Sequence, residues 1–446
     1  MFAAIALATT LQSIRPLADL PILNHPQVDA LPRRGAFGAS FAPKEGEGFA
    51  VASVAPGLTA EKMGLKTGDV LISPTNPAGI NELVRKTKVG DKFSVTIKRG
   101  ADQKVLQGTV IEKPRDLGNA NYEVVYSHVV NNGQKMRTII TVPRKPGKHP
   151  ALFFIQGFAP ISYDYVLETS TGDVTSLNGP ILREFANSNF VTIRVEKPGV
   201  GDSEGGPFAQ LDYHGEIGIY KEALKQLKAH KSVDPENVFI FGHSMGGSFG
   251  PMVAAENKVK GIAVYGVAAR TWFEYLLDTI RYQSLVGGVS YEQADTEARL
   301  GAKIMALAML EKKSAEEIKK LHPDLAPIVD SYFPGGLFNQ KTLDFWRQLN
   351  EINFPSYWVK CDTHVLAVKG ESDFVVYDVD HKLIADIVNR AKPGYGTFAI
   401  APDSDHLFHN FDTEPDSLRN FQRGKFNPNF TKMMKDWIMN LISKNQ

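Results

Sequence analysis

The residue best placed to do chemistry is Ser244, at the centre of Gly242-His243-Ser244-Met245-Gly246. A serine hydroxyl becomes a useful nucleophile toward a carbonyl carbon when a neighbouring base, most often a histidine, takes its proton. The flanking residues suit that use. Val238-Phe239-Ile240-Phe241 is a short apolar run rich in β-formers, and Pro251-Met252-Val253-Ala254-Ala255 reads as helix, so the pentapeptide between them makes a sharp strand-to-helix turn. Gly242 and Gly246 leave room for the strained backbone that exposes the hydroxyl, and the N–H of Met245, at the helix N-terminus, is a donor for an oxyanion. A glycine-rich loop that merely closes a buried strand would use the same residues; the strand before and the helix after favour the chemical use. Two other stretches carry chemistry-bearing residues. Gly199-Val200-Gly201-Asp202-Ser203 hints at phosphate binding but lacks the Lys-Ser/Thr ending of a P-loop and a full dinucleotide fingerprint. His409 shares a loop with Asp403, Asp405 and His406, a set that could be drawn as a metal site.

The elements that must position Ser244 alternate from Tyr122 onward. A hairpin, Tyr122 to Val130 and Lys135 to Val142, turns at Asn131-Asn132-Gly133, the strongest short turn signal. Apolar runs follow at Ala151–Ile155 and Phe190–Val195, then a helix from Glu216 to His230, the strand leading to Ser244, and Gly261–Gly266. The pattern resumes with Thr363–Val368, a helix Asp380 to Asn389, Gly396–Ile400 and an amphipathic closing helix, Phe430 to Ile442. Unbroken apolar strands alternating with helices predict an α/β, doubly wound parallel sheet. Residues 268–357 interrupt it with long helical periodicity, which reads as an inserted helical cap. Most of its aromatics, Trp272, Phe273, Tyr275 and Trp346 among them, are expected to form cap core, and a few to line an acyl or aromatic pocket.

The turn around Ser244, with the Gly-x-Gly-x-Ser loop before it, resembles the α/β-hydrolase superfamily over Tyr122 to Gln446, most of all its serine aminopeptidase-like and bacterial esterase branch. That resemblance implies a Ser-Asp-His triad. The acid of the superfamily sits just past a late strand, which points to Asp373 in Lys369-Gly370-Glu371-Ser372-Asp373 with Glu371 in reserve, and the base follows the last strand, which points to His406. Ser244, Asp373, His406 is the superfamily's chain order. His243 is then expected to point away from the nucleophile and His364 to be structural; with His406 accounted for, no metal or other cofactor is expected. A second oxyanion donor is implied after Ala151–Ile155, where Gln156-Gly157-Phe158 offers the N–H of Phe158. The implied activity is cleavage of a carboxylic ester or amide through an acyl-enzyme, with peptidase or aminopeptidase action on peptides as the alternative.

Earlier in the chain, glycine-bounded β-like runs lead into Pro56-Gly57-Leu58-Thr59-Ala60-Glu61-Lys62-Met63-Gly64-Leu65-Lys66-Thr67-Gly68-Asp69-Val70-Leu71-Ile72, and Lys92–Arg99 alternates as an edge-forming strand should. Residues 34–112 closely resemble a PDZ domain of the bacterial protease-associated kind. Such domains add an extended peptide to a sheet edge and capture its C-terminal carboxylate on backbone N–H groups; here the donors would be Ala36, Phe37 and Gly38, flanked by a helix from Ile80 to Lys86 carrying Asn81, Val84 and Arg85. The alternatives are a PDZ fold kept only for packing or as a lid, and, for the whole protein, a peptide-binding adaptor with an inert hydrolase body. The polar stretch Lys113 to Asn121 marks the boundary, and the hydrolase domain is expected over 122–446. Residues 1–33 form a proline-punctuated lead-in, whose first ten have the apolar character of a secretory segment without its basic start, so export or a periplasmic location is favoured over the cytoplasm.

Fifty basic and forty-nine acidic residues among 446, with no block of like charge, imply neither nucleic acid nor an anionic membrane as partner. No stretch reaches the roughly eighteen apolar residues of a spanning helix. The sole cysteine, Cys361, excludes an intramolecular disulfide and any cysteine-based zinc cluster. The expected partners are a small-molecule ester or peptide substrate and a peptide C-terminus.

Overall fold

The computed structural model describes residues 31–164 and 178–444, apart from the side chains of residues 78, 81 and 85. The apolar N-terminal segment and the side chains of Asn81 and Arg85 therefore lie outside the described residues. The described residues divide into two units, one holding 31–117 with 163–164 and 178–180, the other 118–162 and 181–444.

The smaller unit is built on a five-stranded sheet in which Ala39–Lys44, Gly48–Val54, Val70–Ser73, Lys92–Arg99 and Asp102–Thr109 are neighbours in that order and pair antiparallel. Lys92–Arg99, expected as an edge strand, instead pairs on both sides, because alternation fixes which face is buried and not whether a neighbour covers the edge; Phe93, Val95 and Ile97 point inward from it, against Val51, Leu71, Ile80 and Val84. The helix expected from Ile80 starts earlier, at Pro77, because Asn76 caps it by accepting from the N–H of Gly79 at 2.9 Å and proline fits the first helical position. Gly35–Ala36 pairs antiparallel with Ile111–Glu112. Asp164, fully buried, accepts from the Arg33 guanidinium and lies 3.1 Å from the Lys113 ammonium.

The larger unit carries an eight-stranded mixed sheet. Its strands are β1 (Tyr122–Asn131), β2 (Gln134–Pro143), β3 (His149–Ile155), β4 (Val191–Val195), β5 (Val233–His243), β6 (Gly261–Tyr265), β7 (His364–Gly370) and β8 (Gly396–Ala401), in the spatial order β8-β7-β6-β5-β3-β4-β2-β1. From β4 to β8 every pairing is parallel, and β1 and β2 close the other edge antiparallel. The β1–β2 turn has positive φ at Asn132 and Gly133, the two-residue geometry that matches strand twist. Helices that flank or follow the strands include α1 (Gly179–Asn187), α2 (Tyr213–Ala229), α3 (Met245–Glu256), α4 (Trp272–Val286) and, after β7, α5 (Asp378–Ala391), and a closing helix, Asn429–Ser443, follows β8. Phe153 and Ile240 of the sheet, Tyr213, Ile217 and Leu224 of α2, and Phe249 and Val253 of α3 share one buried apolar cluster.

Between β6 and β7 the chain is mostly helical, beginning with α4, whose Thr271 and Glu274 form a capping box. A two-residue hairpin, Leu337–Phe338 with Lys341–Thr342, interrupts the helices. The last helix of the insertion, Phe354–Lys360, packs against α3 and α5. Among the described residues no helix is long and apolar enough to cross a membrane.

Candidate functional site

Ser244 occupies the turn between β5 and α3 with φ 54° and ψ −129°, backbone that few non-glycine residues adopt. The turn is held from several sides. The N–H of Ser244 donates to the Tyr265 carbonyl at 2.8 Å, and that of Gly247 to the Ser244 carbonyl at 2.9 Å. The helix starts at Met245, directly after the serine, as the glycine-flanked turn implies. Pro251 is tolerated inside α3, where the carbonyl it would crowd belongs to Gly247, a residue without a side chain. Being the first residue of the helix, Met245 has an N–H with no intrahelical acceptor.

The two glycines of the pentapeptide are required by close approach. A Cβ on Gly246 would fall 2.1 Å from the Ile155 carbonyl oxygen, and one on Gly242 2.6 Å from the Gly247 Cα. Both obstacles are backbone and cannot swing aside. Gly246→Ala is therefore expected to destabilise the protein by ~3 kcal/mol or more through overpacking, a loss that thermal and urea unfolding of the variant would read directly.

Three side chains converge at the C-terminal ends of the parallel strands. His406 Nδ1 lies 2.8 Å from Asp373 Oδ2, and His406 Nε2 lies 3.0 Å from Ser244 Oγ. With Nδ1 donating to the carboxylate, Nε2 is left to accept from the serine hydroxyl. Asp373 is fully buried and its Oδ1 accepts from the N–H groups of Val375 and Val376 at 2.8 and 3.3 Å. Burial alone would raise this carboxyl, but the adjacent His406, its hydrogen bond and the nearby Lys369 outweigh it and hold the group below the usual carboxylate range. Gly266, at φ 66°, presses against the imidazole: a Cβ there would sit 2.8 Å from His406 Cε1.

The other candidates lie elsewhere. His243 turns from the nucleophile, its Nε2 donating to the His406 carbonyl at 2.8 Å, and burial, together with the neighbouring His406, lowers it to about 3, so it stays neutral. The exposed Glu371 accepts from the Asp403 N–H at 3.1 Å. His409 Nδ1 is 3.6 Å from Asp405 Oδ2, and His364 stacks on Tyr395 with ring centres 3.8 Å apart. Phe158 follows β3 in a loop that passes over the serine, since a Cβ on Gly157 would meet the Ser244 Cβ at 3.2 Å. Its ring packs on Phe208, Phe345 and Trp346 with centroids 5.6, 6.3 and 5.2 Å away.

Several residues at the site have little or no signal in the linear pattern. Lys197 is buried and holds the carbonyls of Gly157 and Phe158. Asp380 and His381, both buried at the start of α5, accept from the N–H groups of Ala269 and Val267 at 3.0 and 3.1 Å, fixing the strand-to-insertion junction behind the imidazole. For Asp380 and His381 the one linear hint is a polar pair in register with Ile384, Ala385 and Val388 on the apolar face of an amphipathic helix; Lys197, outside any helix, offers none.

No family model matches the chain. Among solved structures, it is similar to the α/β hydrolase GrgF from Penicillium sp. sh18 (14% identity, TM-score 0.44, covering 72% of this chain and 98% of that one). It is also similar to Est1E from Butyrivibrio proteoclasticus (14%, TM-score 0.41, 71% and 99%) and to acetyl xylan esterase 1 from Thermoanaerobacterium sp. JW/SL YS485 (14%, TM-score 0.43, 74% and 86%). In sequence, 159 residues are 26% identical to esterase EstD of Thermotoga maritima, and this match takes in 33% of the chain and about a third (34%) of that esterase's length.

Proposed function

We propose that the protein is a serine hydrolase of the α/β-hydrolase superfamily that cleaves a carboxylic ester through an acyl-enzyme, with Ser244 as nucleophile, His406 as base and Asp373 as the group that orients it. The observation that carries this reading is the imidazole bridging Asp373 Oδ2 and Ser244 Oγ at 2.8 and 3.0 Å. In the proposed reaction Ser244 Oγ attacks the ester carbonyl while its proton passes to His406 Nε2. The tetrahedral oxyanion is received by the N–H groups of Met245 and Phe158. Collapse breaks the bond to the leaving alkoxide, which takes the proton from His406 and departs as an alcohol. A water molecule then attacks the acyl carbon, its proton again going to His406 Nε2, and the carboxylic acid leaves with Ser244 reprotonated. Sequence similarity to an esterase over a limited stretch supports ester over amide as the substrate; peptide amides are the other candidates. A fluorophosphonate probe tests the reading: labelling of the wild type and not of Ser244→Ala supports the enzyme, and no labelling at all favours a binding protein with an inert body.

The N-terminal unit is proposed to be a PDZ domain that binds a peptide C-terminus. Supporting this, Ala39–Lys44 is an edge strand of its sheet, and the loop before it turns its carbonyls inward. Ala36 O accepts from the Thr59 hydroxyl, Phe37 O from the Ala60 N–H and Gly38 O from the Ala55 N–H, at 2.6, 2.8 and 2.7 Å. Because carbonyl and N–H of one peptide plane point in opposite directions, the N–H groups of Phe37 and Gly38, which share planes with the Ala36 and Phe37 carbonyls, face away from those carbonyls' partners, the side on which a carboxylate would bind. Peptides with a free C-terminal carboxylate are expected to bind at Ala36, Phe37 and Gly38 and to weaken at least tenfold when amidated, as charge-assisted bonds are lost. Calorimetry with matched acid and amide peptides measures this, and equal affinities or no binding across a diverse library would leave the unit a packing element.

A further inference from the structure

Lys197, just beyond β4, has a side chain 1% exposed. Its Nζ lies 2.7 Å from Gly157 O, 2.8 Å from Phe158 O and 2.7 Å from Glu216 Oε1. Three acceptors use three N–H donors, which an ammonium has and a neutral amine does not. Burial works against that charge, and Glu216 opposes the burial. Glu216 is itself flanked by a second buried lysine from the helical insertion: Lys341 Nζ stands 3.8 Å from Glu216 Oε2, donates to the Leu211 carbonyl at 2.8 Å and sits 3.8 Å above the Phe208 ring.

The Gly157 carbonyl and the Phe158 N–H belong to one planar trans peptide and so point in opposite directions. Glycine offers little resistance to rotation of that plane, and a flip would replace the N–H donor with a carbonyl, repelling an oxyanion. We propose that Lys197 is a positioning residue for the oxyanion site: by holding the carbonyls of Gly157 and Phe158 it locks this peptide with the Phe158 N–H aimed away from the ammonium, on the side where Gly157 meets Ser244. The proposal rests on the serine hydrolase reading and extends it from the groups that react to the group that pre-orients a donor. Burial lowers the lysine's pKa and Glu216 offsets part of that, favouring the ammonium whose three N–H groups the site uses, and Lys341 stands 3.8 Å from the other oxygen of that carboxylate.

The test is steady-state hydrolysis of an ester by the full chain carrying Lys197→Met, with the inhibition constant of a boronic acid whose tetrahedral adduct on Ser244 carries the negative charge of the oxyanion. The expected result is kcat lower by about 10²-fold, the effect of losing one oxyanion donor. KM stays within about threefold and the midpoint of the kcat–pH profile is unchanged, because the imidazole is untouched; a merely structural defect would not produce this split. Boronate binding is expected to weaken by a similar factor, about 10²-fold. Should the single variant fail to fold because Glu216 loses a partner, Lys197→Met/Glu216→Gln removes that unpaired charge and carries the same measurements. Turnover and boronate affinity within about threefold of wild type, alongside an inactive Ser244→Ala, would overturn the positioning role and leave the hydrolase reading standing. Wild-type turnover that does not depend on Ser244 would overturn both.

Discussion

Ser244→Ala is expected to lower kcat on any accepted ester by up to about 10⁶-fold, because in the proposed mechanism nucleophile and base act as a unit and neither works alone. The fold survives the change. Alanine keeps the Cβ, so the strained φ of 54° is no worse, and the hydrogen bond that the hydroxyl gives up is the one to the His406 ring at 3.0 Å. Unfolding midpoints of wild type and variant should therefore agree to within about 1 kcal/mol, the ordinary scale for losing a single neutral hydrogen bond. His406→Ala is expected to be about as inactive, and His409→Ala to keep most activity, since His409 lies against Asp405 instead of the serine. An inactive His409→Ala beside an active His406→Ala would overturn the assignment of the base. Initial rates on a panel of acyl esters and aminoacyl or peptidyl amides would settle both the roles and the preferred bond.

Asp373→Asn is expected to cost on the order of 10⁴-fold in kcat, less than loss of the serine and by a different route. The amide oxygen can still accept from the Val375 and Val376 N–H groups, so the loop after β7 keeps its hydrogen bonds. What changes is the atom facing His406 Nδ1, 2.8 Å away in the wild type. An NH2 group there donates, which forces Nδ1 to accept and puts the ring proton on Nε2, facing Ser244 Oγ. The base then has no lone pair to offer the hydroxyl. KM is expected to change little, and the unfolding midpoint to fall only modestly. A variant that keeps wild-type kcat would show that Asp373 does not orient the imidazole, and a variant that loses kcat only in proportion to its folded fraction would show a structural role alone.

The oxyanion loop, the serine turn and the imidazole are held by elements of different kinds. Ser244 is exposed by local backbone geometry, Asp373 is fixed by the turn that follows β7, and the Gly157–Phe158 peptide depends on a lysine from the end of β4 and a glutamate in α2. The backbone of the serine turn cannot relax, because carbonyls and Cα atoms crowd both glycines, whereas the Phe158 peptide could turn if its side-chain anchor were removed. Loss of the anchor and loss of the nucleophile should accordingly differ by several orders of magnitude.

The serine turn could be read from a dozen consecutive residues because its causes are local: an apolar β-forming run, glycines where a Cβ cannot fit, and helix-compatible residues beyond. The same holds for the β1–β2 hairpin, where Asn132 and Gly133 supply positive φ, and for Lys92–Arg99, whose alternation sets its buried face. The helix start at Pro77 is less legible, because it depends on the capping side chain of Asn76 more than on apolar periodicity. Which of the eleven histidines meets Ser244 cannot follow from local pattern alone, since His406 is 162 residues away and its loop also holds His409. The sequence by itself thus determined the strands, the order in which they occur and the shape of the serine turn, through short-range sterics and burial. Only the tertiary structure decided that β4 lies beyond β3, which meeting of distant side chains brings His406 to Ser244 and Asp373, and that Lys197 shares a buried site with Glu216 and Lys341. A buried charge is tolerated only where its partner arrives, and that arrival is set by packing across the sheet, which no single stretch of sequence contains.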